Sequence, residues 1–216
     1  MNFDQARFFM IEQQIRPWDV LDPDVLALLE AHPRHLYVPE AQQKLAYSDL
    51  EIPIGEGEFM LSPKIEAKLL QAIDLAEQDR VLEVGTGIGY LTRLLSHAAA
   101  SVTSIEWHPS LFEQAQTRLA DCTNIKLHQG DASQNWPDGE QYDAIVITGA
   151  LTEVSQAYRE KLALGGRMVA FVGEAPAISA ILITRISDEE WVEESLFETL
   201  VAPLHSQQAR PRKFQF

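Results

Sequence analysis

Apolar residues recur along this chain with two different periods, and the change of period divides it. Over residues 4–15, Phe8, Ile11 and Ile15 fall on one helical face, which predicts a helix that Pro17 ends. Asp22 before Pro23 is a capping residue followed by a proline at the first helical position, and Val25, Leu28 and Leu29 carry that helix to His32-Pro33. A stretch punctuated by Pro39, Pro53, Gly55 and Gly57 reads as loop. Ser62-Pro63 then opens a third helix carrying Ile65, Leu69, Leu70 and Ile73.

Beyond residue 80, short apolar runs alternate with helical stretches. Strands are expected over 80–84, 102–105 (closed by Glu106), 125–127, 144–147 and 168–172, with helices over 90–97, 109–119 and 153–162. Runs that are apolar throughout belong to strands covered on both faces, as in a parallel sheet. Residues 178–186 and 191–200 read as two strands joined through Ser187-Asp188 with no helix between them, an antiparallel hairpin at the sheet edge. The expected fold is therefore α/β: one domain over 1–216, with a doubly wound, mostly parallel, seven-stranded Rossmann-like sheet. Residues 1–75 form an N-terminal helical cap and substrate loop, and 76–216 form the core.

Composition narrows the partners. At 216 residues, 46% hydrophobic and 23% charged, the chain can bury a full core without disulfide or metal staples. No apolar run approaches the ~18 residues that cross a bilayer, and Met1-Asn2-Phe3-Asp4 does not read as a signal peptide. The single Cys122 has no internal disulfide partner, which suits a reducing cytoplasm. A net charge of −15 repels phosphate backbones and anionic headgroups, so neither nucleic acid nor membrane is expected as a partner. The tail cations Arg210, Arg212 and Lys213 read as a solvated end, and Asp188-Glu189-Glu190 with Glu193 and Glu194 as a hairpin turn and exposed strand face. The six histidines show no metal-ligand spacing, and no metal is expected.

The candidate chemistry begins at Glu83-Val84-Gly85-Thr86-Gly87-Ile88-Gly89-Tyr90, which follows a strand and opens a helix. Glycines there let the backbone turn tightly and approach a ligand closely. No Gly-Lys-Ser/Thr follows, so this is not a Walker loop. The dinucleotide fingerprint needs glycine where Tyr90 stands, which disfavours a nicotinamide-dependent oxidoreductase. Glycines at alternate positions, with Glu83 two residues before the first, instead resemble the S-adenosylmethionine loop of class I methyltransferases. That cofactor carries an ammonium and a sulfonium, which a nearby carboxylate such as Glu83 favours. Glu106 ends the second strand, where it can accept from both ribose hydroxyls. Asp131, in Gly130-Asp131-Ala132 after the third strand, can accept from the adenine amine, beside a backbone amide. Each acid also has a plainer reading: Glu83 as a helix-cap partner, Glu106 and Asp131 as exposed strand ends.

With these residues in place the chain resembles the protein-L-isoaspartate O-methyltransferase family from about residue 5 to 204. The resemblance rests on Met10-Ile11-Glu12-Gln13-Gln14-Ile15-Arg16, on His32-Pro33-Arg34-His35-Leu36-Tyr37-Val38-Pro39-Glu40, and on Ala46-Tyr47-Ser48-Asp49. Ile52-Pro53-Ile54-Gly55, Tyr142-Asp143-Ala144-Ile145, Leu164-Gly165-Gly166-Arg167-Met168-Val169 and Ala202-Pro203-Leu204 continue it. It implies methylation, by S-adenosylmethionine, of the free α-carboxylate of an L-isoaspartyl residue in a protein or peptide acceptor; a small carboxylate as acceptor is a separate open reading. S-adenosylhomocysteine is the product. The cofactor-binding set it implies is Glu83, Gly85, Thr86, Gly87, Gly89, Glu106, Trp107, Asp131 and Ala132.

The acceptor motif departs from the family. A Thr-Ile-Ser tripeptide grips the carboxylate in the family, and here its Thr falls on Phe59 and its Ser on Leu61. Ser62, one residue late, is the nearest hydroxyl, and no catalytic residue is assigned beyond it. Glu56 and Glu58 add charge beside an anionic acceptor; at an effective dielectric of ~20 a like charge about 4 Å away costs roughly 4 kcal/mol. Inward-facing and solvent-facing glutamates are both open readings. Glu58, Phe59, Leu61, Ser62 and Thr148 are the candidate substrate residues; Thr148 either lines the pocket or simply ends a strand, and Trp107 either packs near adenine or belongs to the core. Compensation for the lost hydroxyls by His205 in the tail is also open. The second function in play is a non-catalytic cofactor-binding or partner-binding protein whose acceptor pocket has closed, with Phe59, Met60 and Leu61 as the plug.

Overall fold

The computed structural model describes residues 1–204; His205, Arg210, Arg212 and Lys213 of the tail lie outside the described residues. The N-terminal cap begins with α1 (Phe3–Met10), capped by the Asn2 side chain. It continues through a wide π-type turn over Ile11–Ile15 and a tight turn over Arg16–Trp18 that contains Pro17. This differs from the single helix expected over 4–15. The widened turn breaks the 3.6-residue repeat, so Ile11 and Ile15 are buried while Phe8 is 60% exposed. In α2 (Pro23–Ala31) the Asp22 side chain accepts from the amides of Asp24 and Val25, as a capping aspartate before a first-turn proline does.

The region expected as loop contains a two-stranded hairpin, β1 (Ile52–Gly55) and β2 (Glu58–Met60). Its turn uses positive φ at Gly55, Glu56 and Gly57, and Pro53 is tolerated because each strand has a free edge. Next is α3 (Pro63–Ile73).

The core runs β3 (Arg80–Val84), α4 (Tyr90–Ala98), β4 (Ser101–Glu106), α5 (Pro109–Arg118), β5 (Ile125–Gln129), β6 (Tyr142–Leu151), α6 (Gln156–Lys161), β7 (Leu162–Glu174), β8 (Ala177–Arg185) and β9 (Trp191–Thr199). The sheet order is β5-β4-β3-β6-β7-β8-β9; pairing is parallel from β5 to β7 and antiparallel for the last two pairs. Alternate strand residues feed two cores: Val81, Val102, Ala144 and Val146 face the side covered by the N-terminal helices, and Leu82, Ile105, Ile145 and Ile147 the other. The helix expected over 153–162 is shorter, because Ser155 caps it and Leu162 already begins β7. Glu193 and Glu194 are exposed on the edge strand β9, where charge discourages pairing with another chain. Among the described residues no helix is long and apolar enough to cross a membrane.

Candidate active site

The chain runs outward from β3 in both directions, to β4 and β5 on one side and to β6 and β7 on the other. Ligands of open α/β sheets bind at such a switch point, beyond the carboxyl ends of the strands. A cleft lies there, enclosing about 790 Å³ of open space with the solvent at its mouth included. Its walls come from Gly85 and Gly87 after β3, Glu106, Trp107 and His108 after β4, residues 130–133 after β5, Thr148 and Gly149 of β6, residues 202–204, and Ile54, Glu58, Phe59 and Leu61 of the hairpin and its exit.

The glycine loop follows β3 directly. The amides of Gly85 and Thr86 both donate to the Ile105 carbonyl, at 2.9 and 3.2 Å, which folds the loop against β4. Gly85 has a φ of +96°, and a Cβ there would overlap Thr148 Oγ1. That hydroxyl reaches the carbonyls of Val84 and Gly85 at 3.0 and 3.1 Å. Thr148 is presented by a register irregularity between Val146 and Ala150 and lines the cleft. Gly85→Ala should therefore displace the loop and lower affinity for a cleft ligand by at least about tenfold. Calorimetric titration with S-adenosylhomocysteine measures this, and wild-type affinity would show that the loop yields.

Glu106 is buried, and each of its carboxylate oxygens accepts one backbone amide: Gly87 at 2.7 Å and His108 at 2.8 Å. Burial raises its pKa while those two amides oppose the rise. Asp131 lines the cleft from the next strand end and accepts from the Ser133 amide at 2.9 Å. Trp107 is 40% exposed at the wall of the cleft, so it is not a core residue. Ala132 lines the same wall. Thr86 lies in an adjoining recess beside the loop and meets Ser104 Oγ at 2.5 Å. Gly89 starts α4 and lines neither space.

Glu83 is placed differently from the sequence expectation. It is fully buried beneath the loop, where Oε2 accepts from Thr92 Oγ1 at 2.5 Å and Ser104 Oγ at 2.6 Å, and it lines no part of the cleft. Glu83 shares its sheet face with its register partner Ser104 and stands one residue short of the end of β3, below the glycine loop, whereas Glu106 is the last residue of β4. Burial pushes its pKa to about 8, against 4.5 in the unfolded chain. The native state thus binds more protons than the unfolded state between those values, and stability falls as pH rises from about 4.5 to 8. In urea denaturation Glu83→Gln should flatten that fall and be more stable than wild type at pH 8 by ~2–4 kcal/mol. An unchanged slope would show that Glu83 is ionised in the folded protein.

The hairpin closes the other side. Glu56 Oε1 accepts from Ser110 Oγ at 2.6 Å, and Glu58 Oε1 lies 3.2 Å from His108 Nε2, so both glutamates turn toward the start of α5. Phe59 is 47% exposed at the lip of the cleft and Leu61 is buried along its wall. Ser62 is buried before α3, makes no capping bond and does not line the cleft, because Pro63 holds the chain in the helical start. Behind Leu61 lies a pair the sequence reading missed. Arg34, fully buried, donates to Glu66 and to the Leu61 carbonyl, and its guanidinium sits 5.2 Å from the centre of the Tyr90 ring. Glu66 lines the recess beside the glycine loop; burial lifts its pKa to about 7 although Arg34 pulls it down. Its signal was present: Glu66 shares the apolar helix face of Leu69, Leu70 and Ile73 at spacings of three, four and seven. His108, Glu51 and Ser133 were also missed as cleft residues, and they had no local pattern to mark them.

The family model described as protein-L-isoaspartate(D-aspartate) O-methyltransferase matches residues 7–209. A protein-L-isoaspartate O-methyltransferase 1 of Rhodopseudomonas palustris is 37% identical over 206 residues, 94% of this chain and 84% of that protein. A protein-L-isoaspartate O-methyltransferase of Methanoculleus marisnigri is 42% identical over 166 residues, 76% of each chain. In structure, a Plasmodium falciparum chain named for the same enzymes and solved with S-adenosyl-L-homocysteine superposes with a TM-score of 0.79 at 19% identity, over 94% of this chain and 98% of that one, which shows the shared fold. By its family-model match and its relatives, the chain belongs to the protein-L-isoaspartate(D-aspartate) O-methyltransferase family.

Proposed function

We propose that this protein is an S-adenosylmethionine-dependent O-methyltransferase that esterifies the free α-carboxylate of isoaspartyl residues in damaged proteins, through an acceptor site altered from that of its family. The observation that carries the cofactor half is Glu106, held open to the cleft by two backbone amides beside the glycine loop and facing the same space as Asp131. The donor set fits the nucleoside: Glu106 accepts from ribose hydroxyls, Asp131 from the adenine amine, and Trp107 offers an exposed ring beside them. Glu83 lies below the glycine loop, with Oε2 bonded to Thr92 and Ser104 and Oε1 unpartnered among the described residues. The names of the relatives and the nucleoside in the P. falciparum neighbour support the reading. A reducing cytoplasm, inferred from the lone Cys122, belongs to the same proposal.

When bound, S-adenosylmethionine supplies an electrophilic methyl group. The acceptor carboxylate is already ionised at neutral pH, so no side chain has to remove a proton. What remains for the chain is to hold the acceptor in line and keep water away. Phe59, Leu61 and Ile54 make an apolar wall suited to the second task. The first is weakened, because apolar groups stand at the two positions of the family's gripping hydroxyls. Glu58 adds less repulsion than its charge suggests, since it is turned to His108.

Calorimetry with S-adenosylhomocysteine and radiolabelled methyl transfer to an isoaspartyl peptide test both halves. Nucleoside binding with turnover well below that of ordinary family members is expected. Absence of binding would remove the cofactor assignment, and turnover at ordinary rates would remove the altered acceptor site.

A further inference from the structure

The turn of the β1–β2 hairpin is not wedged in place by packing. Among the described residues, chain neighbours apart, no heavy atom lies within 4 Å of where a Cβ on Gly55 or Gly57 would stand. Side-chain contacts to the start of α5 tie it down instead: Glu58 to His108 Nε2 at 3.2 Å, Glu56 to Ser110 Oγ at 2.6 Å, and Glu56 to His108 Nδ1 at 4.0 Å. The His108 ring is largely buried between the two glutamates. Its own backbone amide donates to Glu106 Oε1 at 2.8 Å. One residue therefore holds the carboxylate expected to grip ribose with its main chain, and the acceptor hairpin with its side chain.

We infer that His108 is a positioning residue: its ring straps the β1–β2 hairpin shut across the cleft, so that the Phe59–Leu61 wall stands against the nucleoside held by Glu106. The inference rests on the cofactor reading given above. The hairpin, the β4–α5 connection and the glycine loop line one cleft, and a hairpin held shut slows the escape of a nucleoside bound there. Lifting breaks the Glu58 and Glu56 contacts together. Glu56 also gains from lying at the amino-terminal turn of α5, where amide dipoles favour a carboxylate.

The test compares His108→Ala, His108→Gln, Glu58→Ala and the double alanine variant. His108→Ala keeps the backbone amide to Glu106, so it isolates the ring. Two quantities are read: hydrogen exchange of residues 52–60 in ligand-free protein, and the rate of S-adenosylhomocysteine release. In each alanine variant both should rise about five- to tenfold, as expected for loss of partly exposed polar contacts acting together. The double variant should be no faster than His108→Ala alone, because removing the ring already removes its contact with Glu58. Glutamine, which keeps a donor toward Glu58, should recover most of the slow release, while the melting temperature of all four stays near wild type. Wild-type exchange over 52–60 in both single variants, or additive effects in the double, would overturn the strap whatever the cleft binds. If wild-type protein binds no S-adenosylhomocysteine, the cofactor reading fails and takes the nucleoside half of the inference with it; faster hairpin exchange in the variants would still support the His108 contact itself.

Discussion

Arg34→Ala should destabilise the protein by about 3–5 kcal/mol, because it leaves Glu66 buried and unpaired. The side chains of both residues are almost fully buried, and Arg34 also holds the Leu61 carbonyl, so the loss reaches the acceptor wall. The pair is not itself a large source of stability. Its desolvation is costly, the Arg34 Nε is buried without a partner among the described residues, and Glu66 has a pKa lifted to about 7. Replacing both members by apolar residues of similar volume, Arg34→Met with Glu66→Leu, should recover most of the loss, as apolar substitutes for buried ion pairs generally do. Urea denaturation of the two variants measures this. A single-variant loss under about 1 kcal/mol would show that Glu66 takes up a proton and tolerates isolation. The double variant should still be slow with an acceptor peptide, since nothing then anchors the Leu61 carbonyl.

Restoring the hydroxyls, Phe59→Thr with Leu61→Ser, should raise kcat/KM for an isoaspartyl peptide by roughly 10²-fold, since hydrogen bonds to a charged group contribute about 1.5–3 kcal/mol each. The gain is in acceptor use alone; affinity for S-adenosylhomocysteine should hardly change, because Glu106 and Asp131 are untouched. Phe59 is exposed enough to replace cheaply. Leu61 is buried, so its replacement should cost about 2–4 kcal/mol of stability. The backbone at residue 61 should stay in register, because Arg34 grips its carbonyl regardless of the side chain. Steady-state kinetics with matched isoaspartyl and aspartyl peptides provide the measurement. An unchanged kcat/KM would mean that the missing hydroxyls are not what separates this chain from its relatives.

Local pattern settled the scaffold. Continuous apolar runs can be buried only in strands covered on both faces, and the glycines between a strand and a helix admit few backbone paths, so the parallel sheet and the loop after β3 were legible residue by residue. Glu106 and Asp131 were legible for a related reason: residues at the ends of neighbouring parallel strands converge on one crevice. Direction and pairing were not. Glu83 and Glu106 look alike in the chain, yet Glu83 stands one residue short of the end of β3, bonded to Thr92 and Ser104, while Glu106 is the last residue of β4. The wide turn at Ile11–Ile15 exposes Phe8, which a strict helical repeat had placed with Ile11 and Ile15. The β1–β2 hairpin escaped because its proline and glycines carry the composition of a loop.

What the amino-acid order determined alone is the class of fold and the place of the cleft. Both depend on identity and spacing within a few residues. Only the folded molecule decided that Arg34 meets Glu66 across 32 positions, that Glu58 meets His108 across 50, and that Glu83 stands behind the cleft rather than in it. Those outcomes depend on which faces pack together, and a charge in a sequence carries no record of the partner that a distant turn brings to it.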